Sequence, residues 1–355
     1  MTRRSVVLLL VGLLVAAIVG GVVGGIVVRE WWKPGNGSSA PATSGTFAAC
    51  QAAKVADEAL PSVVTVRAVG NQSGGTGSGV VIRSGGYVLT NDHVISTAAG
   101  AGSLSIVRSN GEASDATLVG RDPLTDLAVI KSDDASGLPA ITLGESGSLT
   151  VGEPVVALGS PLGLTSTVTT GIVSALDRYV RVPSGSGQAA HLVGAIQTDA
   201  SINPGNSGGA LVDCHGHLIG INTAGATVPN SGGDSIGLGF AIPIDFAGKI
   251  ADELMAGGAV SRPSFGMQLQ TISPEIARAS GGSPGLFVEA VAPGGPAEKA
   301  GLRAGDVIVE VDGEPARSVD ALVVKTLTMR AGDVVHLKYE RHGVPHTTEL
   351  TLSAG

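Results

Sequence analysis

The sequence predicts a mainly β fold, and three observations support this prediction. Short runs rich in Val, Ile and Thr recur between Gly, Asn and Pro residues, a pattern typical of short strands joined by tight turns. Glycine accounts for 54 of the 355 residues and aromatic residues for only 3%, so the cores have to be built from Val, Ile, Leu and Ala. The length indicates two folded domains with additional segments.

Residues 1–33 are predicted to form a short cytoplasmic stub and a transmembrane helix. Residues 6–28 carry no charge and would extend about 34 Å as a helix, enough to cross a bilayer. Arg3 and Arg4 precede this run, which places the N-terminus in the cytoplasm, and Trp31 and Trp32 follow it. A cleaved signal peptide is the alternative, but the run is long for one and no small-residue cleavage site follows it directly.

Residues 34–49 are rich in Gly, Ser, Pro, Ala and Thr, which is typical of a flexible linker. Everything after the anchor is then extracytoplasmic, in a compartment that permits disulfides. Cys50 and Cys214 are the two cysteines, so only one pairing is possible; two free thiols are the alternative if the orientation is reversed. His215 and His217 beside Cys214 suggest zinc, but no second ligand pair stands at a standard spacing, and we predict no metal.

The first folded domain is predicted over residues 50–258. A helix over 52–60 opens it, and a helix over 247–255 closes it, because apolar residues there recur at the spacing of one buried helical face, with Gly257 as C-cap. The succession of short strands between them predicts a barrel or a sandwich. These strands are expected over 63–69, 79–82, 87–90, 104–107, 116–119, 127–130, 154–158, 167–173, 195–198, 210–212, 218–222 and 237–242.

Residues 259–355 are predicted to form a second, smaller α+β domain, of a size that is normal for an independent unit. It should contain a strand over 285–291, a short helix near 297–300 and a longer helix over 319–329. A terminal hairpin is expected to turn at His342 and Gly343.

A serine between glycines is the candidate nucleophile of the first domain. Ser207 lies in the motif Gly-Asn-Ser-Gly-Gly, and glycine allows a tight loop to bring backbone N–H groups close to a substrate. We expect the N–H groups of Gly205, Asn206 and Ser207 to form an oxyanion hole, which stabilises negative charge on the attacked carbonyl.

His93 and Asp126 are the candidate partners of Ser207. His93 follows the strand at 87–90, and Asp126 directly precedes the strand at 127–130. The order His, Asp, Ser is that of chymotrypsin-type proteases, in which the imidazole takes the serine proton and the carboxylate orients the imidazole. Four competing aspartates and the remaining histidines are predicted to lie in loops or at the surface: Asp115, Asp122, Asp133, Asp134, His191, His215, His217, His336, His342 and His346.

From about residue 52 to its end the chain resembles the HtrA/Deg family of serine proteases. The resemblance implies a chymotrypsin-like two-barrel protease domain followed by a PDZ domain, the arrangement of membrane-tethered members. Besides the segments of the three candidate catalytic residues, it rests on Pro-Ser-Val-Val at 61–64, Gly-Ser-Gly-Val at 77–80, Leu-Gly-Ser-Pro-Leu-Gly at 158–163, Gln-Thr-Asp-Ala-Ser-Ile-Asn-Pro at 197–204, Gly-Ile-Asn-Thr-Ala at 220–224 and Gly-Phe-Ala-Ile-Pro at 239–243.

The resemblance also implies where substrates and peptides bind. The specificity pocket is expected to be uncharged and to favour small or apolar side chains. A family PDZ loop of the form x-Φ-Gly-Φ binds a C-terminal carboxylate through backbone N–H groups, and residues 177–192 resemble the loop that relays the state of the PDZ domain. The pocket residues are Ser201, Ile202, Asn222, Thr223 and Ala224, and the PDZ loop residues are Ser264, Phe265, Gly266 and Met267.

Two features depart from the family pattern. Asp92 stands directly before His93, where members commonly carry a small or neutral residue. Adjacent side chains diverge in extended backbone, so Asp92 need not contact the imidazole. The pair Cys50 and Cys214 is likewise not a general feature of the family.

The resemblance implies unfolded or misfolded proteins as substrates, C-terminal peptides with apolar ends as PDZ ligands, and a homotrimer. No cofactor is expected. Nucleic acid is not an expected partner, because the net charge is −8 and no Lys/Arg cluster is interleaved with aromatic residues. The alternative function is a membrane-tethered PDZ scaffold or chaperone-like binder with a latent protease domain.

Overall fold

The computed structural model describes residues 50–71, 73–160, 167–184, 189–223 and 237–355. The predicted membrane anchor, the predicted linker and the pocket residue Ala224 therefore lie outside the described residues. Within those ranges, none of the helices is both long and apolar enough to cross a membrane.

The first six strands close into a barrel in the order β1-β2-β3-β6-β5-β4. Its interior is aliphatic, as the composition requires, and Val64, Val66, Val88 and Ile130 are fully buried. A helix, α1 (Ala52–Ala59), leads into it, and its strands are β1 (Val63–Val69), β2 (Gly74–Arg83), β3 (Tyr87–Thr90), β4 (Ser103–Val107), β5 (Ala113–Asp122) and β6 (Leu127–Ser132).

The next six strands close into a second barrel in the order β10-β11-β12-β9-β8-β7. The two barrels are the arrangement that the resemblance implied. The strands are β7 (Pro154–Gly159), β8 (Thr167–Pro183), β9 (Ala189–Thr198), β10 (Ala210–Val212), β11 (Leu218–Thr223) and β12 (Gly239–Pro243).

The segment predicted as a regulatory loop, 177–192, is largely a strand pair. Strand β8 continues to Pro183 and β9 begins at Ala189, so Val182 pairs with Ala190 and Val180 with Leu192. The hairpin extends this far because Val182, Ala190 and Leu192 are buried in a core shared with the rest of the domain. The local composition did not predict these longer strands, because residues distant in sequence bury Val182, Ala190 and Leu192.

A 14-residue helix, α3 (Ile244–Gly257), follows the second barrel and buries Ala247, Ile250, Ala251 and Leu254. Its C-cap is Gly258, not the predicted Gly257. Gly258 adopts a left-handed backbone with φ 73° and donates its N–H to the carbonyl of Leu254. Glycine takes this conformation without strain, which ends the helix here.

The C-terminal unit has a five-stranded path, β14-β15-β16-β18-β19, packed around its own core of Leu286, Val288, Ile308, Val335 and Leu350. The predicted turn at His342 and Gly343 joins β18 to β19. Its strands are β13 (Pro263–Ser264), β14 (Met267–Ile272), β15 (Gly285–Val291), β16 (Val307–Val311), β17 (Glu314–Pro315), β18 (Val334–Arg341), β19 (Val344–Thr351) and β20 (Ser353–Ala354), and its helices are α4 (Pro274–Ser280), α5 (Pro296–Lys299) and α6 (Asp320–Thr328).

Candidate active site

His93 lies in a one-turn helix, α2 (Asp92–Ile95), which is separated from the end of β3 only by Asn91. Its Nδ1 is 2.9 Å from Oδ2 and 3.0 Å from Oδ1 of Asp126, and its backbone N–H donates to Oδ1 at 3.0 Å. Asp126 is fully buried, whereas the His93 side chain is 31% exposed. The imidazole is therefore fixed by a buried carboxylate on one side and remains accessible on the other.

Asp126 occupies a conformation that needs support, with a left-handed φ of 58° at a non-glycine residue. Asn91 donates its side-chain amide to the Asp126 carbonyl at 2.9 Å, and Thr223 donates its hydroxyl to Oδ2 at 3.2 Å. These contacts from both barrels hold the carboxylate where it accepts the Nδ1 proton of His93. The tautomer with Nε2 as a proton acceptor is thereby favoured.

The charge environment favours the protonated form of His93. Burial lowers the pKa of the imidazole. The hydrogen bond and negative charge of Asp126, together with the charge of Asp92, raise the pKa by more than burial lowers it, so it lies above its ordinary value. His93 therefore binds a proton more tightly than a solvated histidine, which suits a general base that has to stabilise an imidazolium.

Ser207 lies in the predicted tight loop and is buried to 5% exposure. Its carbonyl accepts the N–H of Ser78 from β2 at 2.8 Å. A Cβ at Gly208 would stand 2.2 Å from the Ser78 carbonyl and 2.4 Å from the Thr90 hydroxyl, so only glycine fits at this position. The Ser207 loop packs against the end of β3, next to α2, the helix that carries His93.

One of the three predicted oxyanion donors, Asn206, has its backbone N–H bonded within the loop. The N–H of Asn206 donates to the Asn203 carbonyl at 3.0 Å and is committed within the loop, while its side chain donates to the Ser201 carbonyl at 3.2 Å. Gly205 has φ 102°, a value that glycine alone tolerates well. Asn206 is therefore not assigned as a donor to an oxyanion, whereas Gly205 and Ser207 stay predicted donors.

The predicted pocket residues do not all face a common space. Asn222 donates its amide to the carbonyls of Leu158 and Ala210, inside the second barrel. The Thr223 hydroxyl donates to Asp126, so neither of these two β11 side chains is assigned to the pocket. Ser201 is exposed and Ile202 is buried beside it. These two residues stay assigned to the specificity pocket.

Ser78 has a role that the motif Gly-Ser-Gly-Val alone did not reveal. Its hydroxyl donates to the Gly205 carbonyl at 2.6 Å and accepts the N–H of Ser160 at 2.7 Å. Its carbonyl accepts the Thr90 hydroxyl at 2.6 Å. One buried serine of the first barrel thus fastens both the nucleophile loop and the end of β7.

The extended backbone expected at Asp92 is not observed. Asp92 begins a helix rather than standing in extended backbone, it is fully buried, and Arg121 binds both of its carboxylate oxygens. His191 and Asp122 also differ from the prediction, since both are buried. His191 accepts or donates a 2.7 Å hydrogen bond with the Tyr179 hydroxyl, and burial lowers the pKa of its imidazole.

Cys50 and Cys214 are joined in a disulfide with a Cα–Cα distance of 4.9 Å. The bond fastens the chain before α1 to the turn that follows β10, so the Cys214 thiolate is not available to a metal. His215 and His217 lie beside Asp213 in the same turn. In the part of the chain that the structure describes, no group of three or more His, Cys, Asp or Glu side chains is placed to hold a metal ion.

The predicted carboxylate loop of the C-terminal unit opens onto a groove of about 480 Å³. Gly266 has φ 68°, and its N–H donates to the Ser264 hydroxyl at 3.0 Å. Phe265 is buried in the domain core, and Met267 begins β14. The groove runs between this loop and α6. From α6, Leu322, Val323 and Thr326 line the groove.

Two closed six-stranded barrels with a His–Asp pair beside a glycine-flanked serine define a trypsin-like serine endopeptidase, here followed by a PDZ domain. Residues 77–221 match the trypsin-like peptidase domain family, and residues 287–341 match the PDZ domain family.

The chain is 41% identical over 310 residues to the serine protease PepD of Mycobacterium tuberculosis, which covers 84% of this chain and 65% of PepD. It is 40% identical over 328 residues to the periplasmic pH-dependent serine endoprotease DegQ of Escherichia coli, which covers 84% of this chain and 70% of DegQ. The match thus spans about two thirds of each of these proteases, slightly less for PepD.

The solved structure of the HtrA-type protease AlgW with a decapeptide has a TM-score of 0.64 at 34% identity, covering 85% of this chain and 98% of that chain. The protein therefore belongs to the HtrA/Deg family of serine proteases.

Proposed function

We propose that the protein is a membrane-anchored, extracytoplasmic serine endopeptidase that cleaves unfolded or regulatory envelope proteins after small or apolar residues. The observation that carries the catalytic part is the buried Asp126 carboxylate bonded to His93 Nδ1, next to the loop of Ser207. The proposed catalytic residues are accordingly His93, Asp126 and Ser207.

In the proposed mechanism, Ser207 Oγ attacks the scissile carbonyl while His93 Nε2 takes its proton. Asp126 keeps the imidazole oriented and stabilises the imidazolium. The N–H groups of Gly205 and Ser207 bind the oxyanion of the tetrahedral intermediate. His93 then protonates the leaving amine, an acyl-enzyme forms, and water activated by His93 hydrolyses it to release the second product.

The proposed preference for small or apolar residues is supported by the chemistry of the remaining pocket residues. Ser201 and Ile202 carry no charge, so they offer no electrostatic attraction to a Lys or Arg side chain. Ile202 is buried against Gly239 of β12, where even a Cβ would approach within 2.6 Å, so the base of this region is tightly filled. A narrow, apolar base admits small side chains best.

The PDZ groove supports the second part of the proposal, which is binding of C-terminal peptides with apolar ends. A peptide added along β14 would place its carboxylate at the Phe265–Met267 loop and its last side chain between Phe265 and Leu322. AlgW, which is similar to this chain, was solved with a decapeptide. A homotrimer is the assembly that we propose from the resemblance.

The proposed location is the outer side of a membrane, with residues 6–28 as the anchor and the N-terminus in the cytoplasm. The uncharged run and the preceding arginines support this proposal. A disulfide across 164 residues is stable in an oxidising compartment, which agrees with that orientation.

The catalytic proposal is tested by covalent labelling of the full chain with a fluorophosphonate probe, alongside hydrolysis of an unfolded casein. Wild type should be labelled at Ser207 and should hydrolyse casein. Ser207→Ala should lose both signals, with hydrolysis reduced on the order of 10⁴-fold or more. Ser109→Ala, at an exposed serine of the β4–β5 turn, is the matched control and should retain both.

Casein hydrolysis by a verified Ser207→Ala preparation would refute the assignment of the nucleophile. A wild-type chain that binds peptides but neither reacts with the probe nor hydrolyses casein would instead support the tethered scaffold as the function.

A further inference from the structure

The Asp92 carboxylate is held by a two-pronged contact with Arg121. The Nε of Arg121 donates to Oδ1 at 2.6 Å and its Nη2 donates to Oδ2 at 2.7 Å. Asp92 is completely buried, whereas the guanidinium side chain is 25% exposed. Such a bidentate pair of hydrogen bonds is the strong and directional form of a carboxylate–arginine contact. It fixes the orientation of the Asp92 carboxylate relative to Arg121 as well as the distance between them.

The Asp92–Arg121 contact lies next to the contact between His93 and Asp126. His93 is bonded to Asp126 through both its ring and its backbone N–H. Arg121 lies on β5 opposite Ala128 of β6, the strand that Asp126 precedes. The one-turn helix α2 is therefore fastened at two successive residues to the same strand pair. A helix of four residues has little stability of its own, so such contacts decide its orientation.

We propose that Asp92 and Arg121 form a positioning pair for His93, which holds the imidazole against Asp126 and sets the pH range over which His93 acts as a base. This inference rests on the proposed role of His93 in catalysis. It assigns a function to the residue at which this chain departs from the pattern of its family, a residue whose side chain is fully buried.

The charges that act on His93 and Asp92 lie on α2 itself and on the β5–β6 segment. Asp92 lies on the helix of His93, Asp126 lies in the turn before β6, and Arg121 and Asp122 end β5. Arg262, from the segment after α3, is paired with Asp122. The three carboxylates and two guanidiniums leave one net negative charge, which a protonated His93 neutralises.

The direction of the titration agrees with this arrangement. Burial lowers the pKa of His93, and the hydrogen bond and charge of Asp126 and the charge of Asp92 raise it above its ordinary value. Burial also raises the pKa of Asp92, against the hydrogen bond and charge of Arg121, which lower it. On balance the pKa of Asp92 lies above its ordinary value, and Arg121 limits this rise and so favours the ionised carboxylate next to the general base.

The first experiment compares the pH profile of kcat/KM for wild type and Asp92→Asn. Asparagine keeps the shape of the side chain but removes its charge and leaves the Arg121 cation nearby. The acid limb should therefore move to lower pH by about half a unit to one unit, the size expected for one partly screened charge. A purely structural residue would lower kcat without moving this limb.

The second experiment separates positioning from charge. Arg121→Gln leaves the Asp92 carboxylate buried without its cation, and should lower both kcat and the unfolding temperature more than Asp92→Asn does. The double variant Asp92→Asn/Arg121→Gln replaces the ion pair with two neutral amides, and should recover most of the unfolding temperature lost in Arg121→Gln.

The matched control is Asp134→Asn, which removes an exposed carboxylate that is paired with Arg108 and should leave the profile unchanged. The pKa of His93 can also be read directly by NMR of the histidine-labelled Ser207→Ala chain, with and without Asp92→Asn. A folded Asp92→Asn protein with an unmoved acid limb and an unmoved His93 titration would overturn the inference. Residual hydrolysis by Ser207→Ala would instead refute the proposed function, so the two failures are distinguishable.

Discussion

Arg262 donates a hydrogen bond to the carboxylate of Asp122, and so joins the segment after α3 to the last residue of β5. The same carboxylate oxygen accepts the hydroxyl of Thr125, the residue before Asp126. The turn that presents the proposed catalytic aspartate is thus fastened to the segment that leads into the PDZ unit. Asp122 is 4% exposed and the Arg262 side chain 21% exposed, so the contact is largely shielded from solvent.

Arg262→Gln should weaken both the fold and the active site. It leaves the Asp122 carboxylate buried without its cation, which costs about 3 kcal/mol of the free energy of unfolding, the lower end for buried pairs. Because Asp122 also orients Thr125, kcat should fall about tenfold from misplacement of Asp126. Denaturant unfolding and casein hydrolysis measure the two effects.

The comparison for Arg262→Gln is Arg83→Gln, which breaks an exposed pair with Asp252 of α3. This change should cost less than about 1 kcal/mol and leave kcat unaltered. Equal losses in the two variants would show that the Asp122 contact contributes no more than a surface ion pair.

The barrels could be predicted from the sequence because their signals are local. The aliphatic runs predicted as strands over 63–69 and 127–130 fall within β1 and β6. The segment of Ser207 was recognised by its flanking glycines, and those of His93 and Asp126 by the apolar runs beside them. Their convergence depends on contacts between strands, and the order of the three residues along the chain was the available clue.

The supporting contacts could not be predicted, because their partners are far apart in the chain. Arg262 and Asp122 are 140 residues apart, and Ser78 and Gly205 are 127 apart. A polar residue such as Asp122 is typical of an exposed loop until a distant cation lets it be buried.

Reduction of the Cys50–Cys214 disulfide should destabilise the chain strongly. The residues are 164 apart, and the loop-entropy relation gives roughly 5 kcal/mol as an upper figure. The unfolding temperature should fall when a reductant is added to wild type. The double variant Cys50→Ser/Cys214→Ser should start at the lower value and should not respond to reductant. A wild-type temperature that is insensitive to complete reduction would contradict this expectation.

His191 should make the fold sensitive to acid. Burial lowers the pKa of its imidazole, with Asp320 of α6 raising it and Arg181 lowering it. A histidine with a lowered pKa contributes stability above its unfolded value of 6.5. That contribution is lost as the pH falls from 6.5 toward the lower pKa of the folded state, because the unfolded chain binds the proton more readily.

The His191 contribution is measured as the free energy of unfolding between pH 7.5 and 5. His191→Asn keeps a polar atom near Tyr179 without a titrating ring, so its stability should vary less with pH than that of wild type. His342→Asn replaces an exposed histidine of the β18–β19 turn and should retain the wild-type slope. A steeper slope for His191→Asn would show that the sign is wrong.

The groove beside Gly266 should bind a peptide through its free C-terminal carboxylate. A fluorescent peptide ending in an apolar residue should bind the full chain, and amidation of its C-terminus should abolish binding, because the backbone N–H groups then lose their anion. Gly266→Ala should do the same, since a Cβ there would stand 2.7 Å from the Pro296 ring and φ is 68°. Gly313→Ala has an equally left-handed backbone, with φ 84°, but open space around the Cβ, so it controls for backbone strain and should still bind. Undiminished binding of the amidated peptide would place the ligand elsewhere.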